Sequence, residues 1–220
     1  MYNIMYNQEK QQTRNYKYDT IRFIMIFFVI VGHAMELFYS EKISYIYQII
    51  YSFHIPVLIY ITGMFARFDK QKIIKHLIFP YLVFQLIYQI FHAILFGNQI
   101  NIQFTTPYWI LWYLLSIIIY YILIPMFPDK KTKHVYTFLF LSIIFALIIG
   151  FENSIGYYMS LSRTFYFFPF FIMGYYHDKL LDLLENKRVV TLCTVIIIIG
   201  TIYMFKYYVS NSLFMVHILI

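Results

Sequence analysis

From Ile21 to Phe38 the chain runs for eighteen residues with only Arg22, His33 and Glu36 ionisable among them, and apolar runs of similar length recur further along. A helix needs about 20 apolar residues to cross a ~30 Å hydrocarbon layer, so these runs constrain the fold more than any other feature. Composition agrees: 61% of residues are hydrophobic and 12% charged, about half the charged share of a water-soluble domain. The predicted fold is all-α, a polytopic transmembrane helical bundle. Helices are expected at about 20–39, 43–65, 76–96, 109–127, 134–151, 157–176 and 189–208. A further apolar run starts after Asn211 and reaches Ile220; nine helical residues rise only about 13 Å, too little to cross. The expectation is therefore seven spans plus the start of an eighth, in a C-terminally incomplete chain. Residues 1–19 read as a polar N-terminal arm and 20–220 as the membrane domain. The arm lacks a small-residue cleavage site, so the first helix reads as retained rather than as a signal peptide.

The formal charge of +7 does not point to nucleic acid, because the basic residues sit in short connectors between apolar runs. Lys10, Arg14 and Lys17 lie in the arm, and Arg67, Lys70, Lys72 and Lys75 in the second connector. Lys130, Lys131 and Lys133 fall in the fourth, and Lys179, Lys187 and Arg188 in the sixth, while Gly97–Tyr108 carries none. By the positive-inside rule the N-terminus and the even-numbered connectors are cytoplasmic, in a multi-pass protein of the cell membrane. Cys193 is the single cysteine, so no disulfide can form within the chain. No internal repeat supports a transporter-like inverted architecture.

Arg22 and His33 stand eleven residues apart, three helical turns, and share one face about 16 Å apart along the axis. Asp19 and Glu36 extend that stripe by i,i+3 spacing. Ionisable groups in a span cost several kcal/mol unless they face protein or an aqueous cavity, so the stripe is expected to face the bundle. Arg22 taken alone also suits a snorkelling interfacial residue, and His33 a packed histidine bonded to a neighbouring helix. Glu36, one turn from His33, can fix its tautomer and raise its basicity. In the second helix, "SFHIP" places His54 beside Pro56, where a kink is expected; His54 either lines a cavity there or makes a structural hydrogen bond. Arg163 lies just inside the sixth span, where an interfacial anchor is the alternative, and Pro169 is expected to break that helix. Trp109 and Trp112 fit an aromatic belt. No metal-ligand spacing and no glycine-rich phosphate loop is found.

The segments "YDTIRFIMIFFVIVGHAMELF", "SFHIPVLIYITGMF", "PYWILWYLLS" and "SRTFYFFPFFIMGYY" resemble, in order, the acyltransferase 3 family of membrane O-acyltransferases, closest to its fucose 4-O-acetylase-like branch. The shared pattern is an arginine, ten residues and a histidine on the first helix, matched by Arg22 and His33. The resemblance implies a bundle of about ten helices that moves an acyl group, usually acetyl from cytoplasmic acetyl-CoA, to a sugar hydroxyl of an extracytoplasmic glycan. It implies His33 as general base or covalent nucleophile and Glu36 as its orienting carboxylate. Arg22, Arg67 and Lys70 would meet the phosphates of coenzyme A. His54, Arg163 and Trp112 would contact the acceptor or the developing oxyanion. The family's paired-arginine motif is altered here: Lys70 follows Arg67, which keeps charge but not the bidentate fork. Acetyl-CoA is then a donor substrate rather than a bound cofactor. The other partners are the bilayer and a glycan or lipid-linked sugar, with no nucleic acid and no metal. Two competing readings are a carrier or flippase for lipid-linked sugars, and an inactive truncated fragment of such an acyltransferase.

Overall fold

The structure, a computed structural model, describes residues 16–38, 41–97, 102–150 and 158–184 together with Lys187 and Thr191. The helix expected over 189–208, the run to Ile220 and Cys193 fall outside the described residues, Thr191 excepted. All regular structure among the described residues is helical. Among the described residues three helices are long and apolar enough to cross a membrane: α1 (Tyr16–Met35), the apolar part (Ile46–Met64) of α2 (Glu41–Met64), and α3 (Lys70–Phe96). Then follow α4 (Leu111–Leu123), α5 (His134–Gly150), α6 (Leu161–Tyr175) and α7 (His177–Leu184). Two compact units meet within α2, between Ile61 and Thr62.

The first unit is an antiparallel pair of helices. Contacts between Arg22 and Ile61, Phe28 and Phe53, Gly32 and Tyr51, and Glu36 and Tyr47 step in opposite directions along α1 and α2. Helix α1 starts at Tyr16 rather than 20 and stops at Met35 rather than 39. Its outward side chains, Phe23, Ile26 and Ile30 among them, are more than half exposed, as befits a lipid-facing surface that needs no protein cover. Glu36 therefore lies in the turn after the helix and not inside the span. Helix α2 runs through Pro56 as one element.

In the second unit α3 begins at Lys70, ahead of the expected 76, because Asp69 caps it: its Oδ1 accepts from the backbone N–H of Gln71 and Lys72, each at 3.1 Å. Residues Ile74–Ile78 form a π turn in which the Phe79 N–H reaches back five residues to Ile74 O. The widened turn precedes Pro80, whose ring and missing N–H obstruct an ordinary α turn.

Residues 103–108, which follow α3, fold back along that helix. Tyr81, Gln85 and Gln89 form a buried polar stripe one turn apart. Tyr81 Oη donates to Phe104 O at 2.7 Å, and Gln85 Nε2 donates to Gln103 O at 2.9 Å and Thr106 O at 2.7 Å. Tyr108 N–H returns a bond to Gln85 Oε1 at 3.0 Å, and Gln103 N–H one to Gln89 Oε1 at 3.3 Å. Irregular backbone beside a spanning helix has to be satisfied in this way, since lipid offers no partners. Consequently α4 starts at Leu111, not 109, after Trp109 in a left-handed conformation (φ 43°). Its thirteen residues rise only about 20 Å, less than the ~30 Å of a full span.

Helices α5 and α6 pack closely, and α6 runs unbroken through Pro169, contrary to the expected interruption. Ser116 and Thr164 hydroxyls bond at 2.7 Å between α4 and α6, and Tyr120 Oη donates to Thr164 O. Phe127 sits among Phe138, Phe168, Phe171, Tyr175 and Tyr176. The basic sixth connector is itself helical as α7, where Lys179 Nζ donates to Lys130 O at 3.1 Å and to Thr132 O.

Candidate functional site

The last turn of α1 carries His33, and the chain turns immediately after it, which brings Glu36 back onto the ring. His33 Nδ1 lies 3.1 Å from Glu36 Oε1. The neighbouring helix adds two phenols that composition alone did not single out. Tyr51 Oη donates to Glu36 Oε1 at 2.9 Å and lies 3.3 Å from His33 Nδ1, and Tyr47 Oη donates to the same carboxylate oxygen at 3.2 Å. Tyr47, Tyr51 and His54 follow i, i+4, i+7 spacing in "YQIIYSFH", a helix-face signal that was available in the sequence.

Three donors converge on one oxygen, an arrangement suited to a carboxylate. A phenol has a single proton, and both tyrosines direct theirs at Glu36; the proton shared between ring and carboxylate is therefore assigned to His33 Nδ1. In the neutral ring, Nε2 then holds the lone pair and is the nitrogen able to take a proton. The His33 side chain keeps 22% of its surface and Glu36 41%, so the pair sits at a rim rather than in a closed core.

His54 is a turn further along α2. It is almost fully buried, with Nδ1 donating to Ile50 O at 2.6 Å, and its ring stands edge-on to Tyr51 at 4.8 Å. Of the two readings open for it, the hydrogen-bonded core histidine is the one its backbone contact matches. Arg22 lies at the other end of α1, where Nη2 donates to Ile61 O at 3.4 Å. Ile61 contributes one of the last four carbonyls of α2, which lack helical partners and attract positive charge.

In the second unit Arg67 and Lys70 are both exposed, on either side of Asp69. Hydrogen bonds from the Lys72 backbone and side chain, and from Gln71, hold the Asp69 carboxyl below its ordinary 3.8. Arg163 and Trp112 come together: the guanidinium carbon is 5.4 Å from the indole centre, and Phe167 stacks on the same indole at 5.7 Å. Trp112 is thus engaged with two side chains of α6. No cluster of three or more His, Cys, Asp or Glu is gathered among the described residues.

Long apolar helices and a carboxylate-linked histidine at the end of one of them define a membrane protein with a candidate acid–base centre. Residues 15–220 match the profile of the acyltransferase 3 family (acyltransferase domain), and the chain belongs to that family. Neither the curated proteins nor the solved structures give a match.

Proposed function

We propose that this chain is an integral membrane O-acyltransferase that moves acetyl from cytoplasmic acetyl-CoA to a sugar hydroxyl of an exported or cell-surface glycan. The observation that carries the reading is the His33–Glu36 pair, held by Tyr47 and Tyr51, in a chain of an acyltransferase family. His33 Nε2 takes the proton of the acceptor hydroxyl as its oxygen attacks the acetyl carbonyl. The tetrahedral intermediate collapses with cleavage of the carbon–sulfur bond, and the departing thiolate takes the proton back from the imidazolium. Glu36 stabilises the imidazolium while it exists and keeps Nδ1 protonated throughout. The exposed Arg67 and Lys70 supply positive charge for the polyanionic donor. Arg163, oriented by Trp112, supplies donors for an acceptor hydroxyl or an oxyanion.

The test is transfer of radiolabelled acetyl from acetyl-CoA to endogenous glycan in permeabilised membrane vesicles carrying the protein. His33→Ala should lower the rate by about 10²- to 10⁴-fold while the protein remains in the membrane fraction. An unchanged rate would remove His33 from the chemistry.

A further inference from the structure

We propose that Tyr51 is a positioning residue that fixes the tautomer and orientation of His33 by bridging it to Glu36; this rests on the acid–base reading of that pair. A phenol in a membrane helix needs one acceptor to satisfy its proton. Tyr51 does more, because its oxygen lies 2.9 Å from Glu36 Oε1 and 3.3 Å from His33 Nδ1, within bonding reach of both members at once. Its O–H donates to the carboxylate, and its lone pair faces the Nδ1 proton. Moving that proton to Nε2 would leave the bare Nδ1 lone pair facing the carboxylate oxygen, and only turning the Tyr51 proton away from Glu36 would satisfy it.

The ring is held in place as tightly as the hydroxyl. Tyr47 stacks on it at 4.0 Å with 26° between the planes, and the His54 ring meets it edge-on at 4.8 Å. On the α1 side, Gly32 is buried, and a Cβ there would stand 2.7 Å from Tyr51 Cε2. The missing side chain at Gly32 is what lets the phenol approach α1 closely enough to reach the pair beyond it. His54, fixed to Ile50 O, serves in this arrangement as a wall for Tyr51. The titratable groups around the pair on both helices are thus arranged to hold one proton on Nδ1.

The experiment uses the full chain in permeabilised vesicles, with radiolabelled acetyl-CoA as the varied substrate and endogenous glycan as acceptor. Tyr51→Phe keeps the ring and its stacking and removes the bridge. It should lower kcat by about 10- to 100-fold, as loss of an orienting partner commonly does, and leave KM for acetyl-CoA within about twofold. In a Glu36→Gln background the same substitution should cause little further loss, because the carboxylate that the bridge holds against the ring is already gone. A full kcat in Tyr51→Phe, or a loss that multiplies unchanged onto Glu36→Gln, overturns the proposal. Gly32→Ala gives a second route that favours helix formation but pushes the Tyr51 ring outward: it should lower kcat with the hydroxyl still present, and full activity there also counts against the bridge. His33→Ala separates the two levels. An inactive His33→Ala beside a fully active Tyr51→Phe overturns the bridge alone, whereas an active His33→Ala overturns the acid–base reading beneath it.

Discussion

Replacing Gln85 by leucine keeps a side chain of similar size and deletes the amide that ties residues 103–108 to α3. Gln85 makes three bonds to that segment: to Gln103 O, to Thr106 O and from Tyr108 N–H. Gln103 O keeps a donor in Gln89, so the backbone groups that lose a partner are Thr106 O and Tyr108 N–H. A buried group left unpaired costs about 1–3 kcal/mol, which gives about 2–6 kcal/mol for the pair where water is excluded. The variant and the parent would be compared by denaturant unfolding in micelles, with hydrogen exchange followed at the Tyr108 amide. The expected result is a stability loss in that range and accelerated exchange at Tyr108, ahead of exchange in the middle of α4. A loss under about 0.5 kcal/mol, the level of an ordinary surface change, together with unchanged exchange at Tyr108 would refute the view that the glutamine stripe holds the folded-back connector.

Two further outcomes follow from the same structure. Within the second unit, a Cβ on Gly63 would stand 2.3 Å from Phe171 O and 3.0 Å from Tyr175 N, both backbone atoms; Gly63→Ala should therefore cost about 1–3 kcal/mol or more in micellar unfolding, by forcing residues 62–64 away from α6. The Asp69 cap gives a pH signature: the folded carboxyl is held below its ordinary 3.8, chiefly by the Lys72 backbone N–H. Its contribution to α3 is therefore complete above the unfolded value and is lost as pH falls below about 3.8 through the folded one. Helicity near Lys70, followed by amide exchange, should drop in that acid window in the parent and show no such step in Asp69→Asn.

Much of the fold was legible in the sequence because lipid imposes a simple rule on runs of apolar residues. The helix starts were less legible. Tyr16 and Tyr18 extend α1 ahead of its apolar run, and Asp69 starts α3 inside what reads as a basic connector, although an aspartate before "KQK" is a capping signal. Trp109 falls inside the helix expected from the apolar run, and its left-handed backbone excludes it. The stripe Tyr81, Gln85, Gln89 was present as polar residues one turn apart in an apolar helix, but which loop it serves depends on a tertiary return that periodicity does not encode. The candidate site divides in the same way. His33 and Glu36 were visible as neighbours on one helix stripe, since that spacing is local. Tyr51 and Tyr47 required the pairing of α1 with α2, and the same pairing gave Arg22 the carbonyl of Ile61 as a partner. The association of Arg163 with Trp112 likewise depends on α4 and α6 meeting.

The central claim is that this chain transfers acetyl through His33, and it is tested most directly by the amount of labelled acetyl ester recovered on glycan. Vesicles bearing the parent protein should convert radiolabelled acetyl-CoA into alkali-labile ester on the glycan fraction. Vesicles bearing equal membrane-embedded amounts of His33→Ala should form about a hundredth of that or less. Equal ester in the two preparations, or none with the parent under conditions where the protein is folded and the donor intact, would contradict the account.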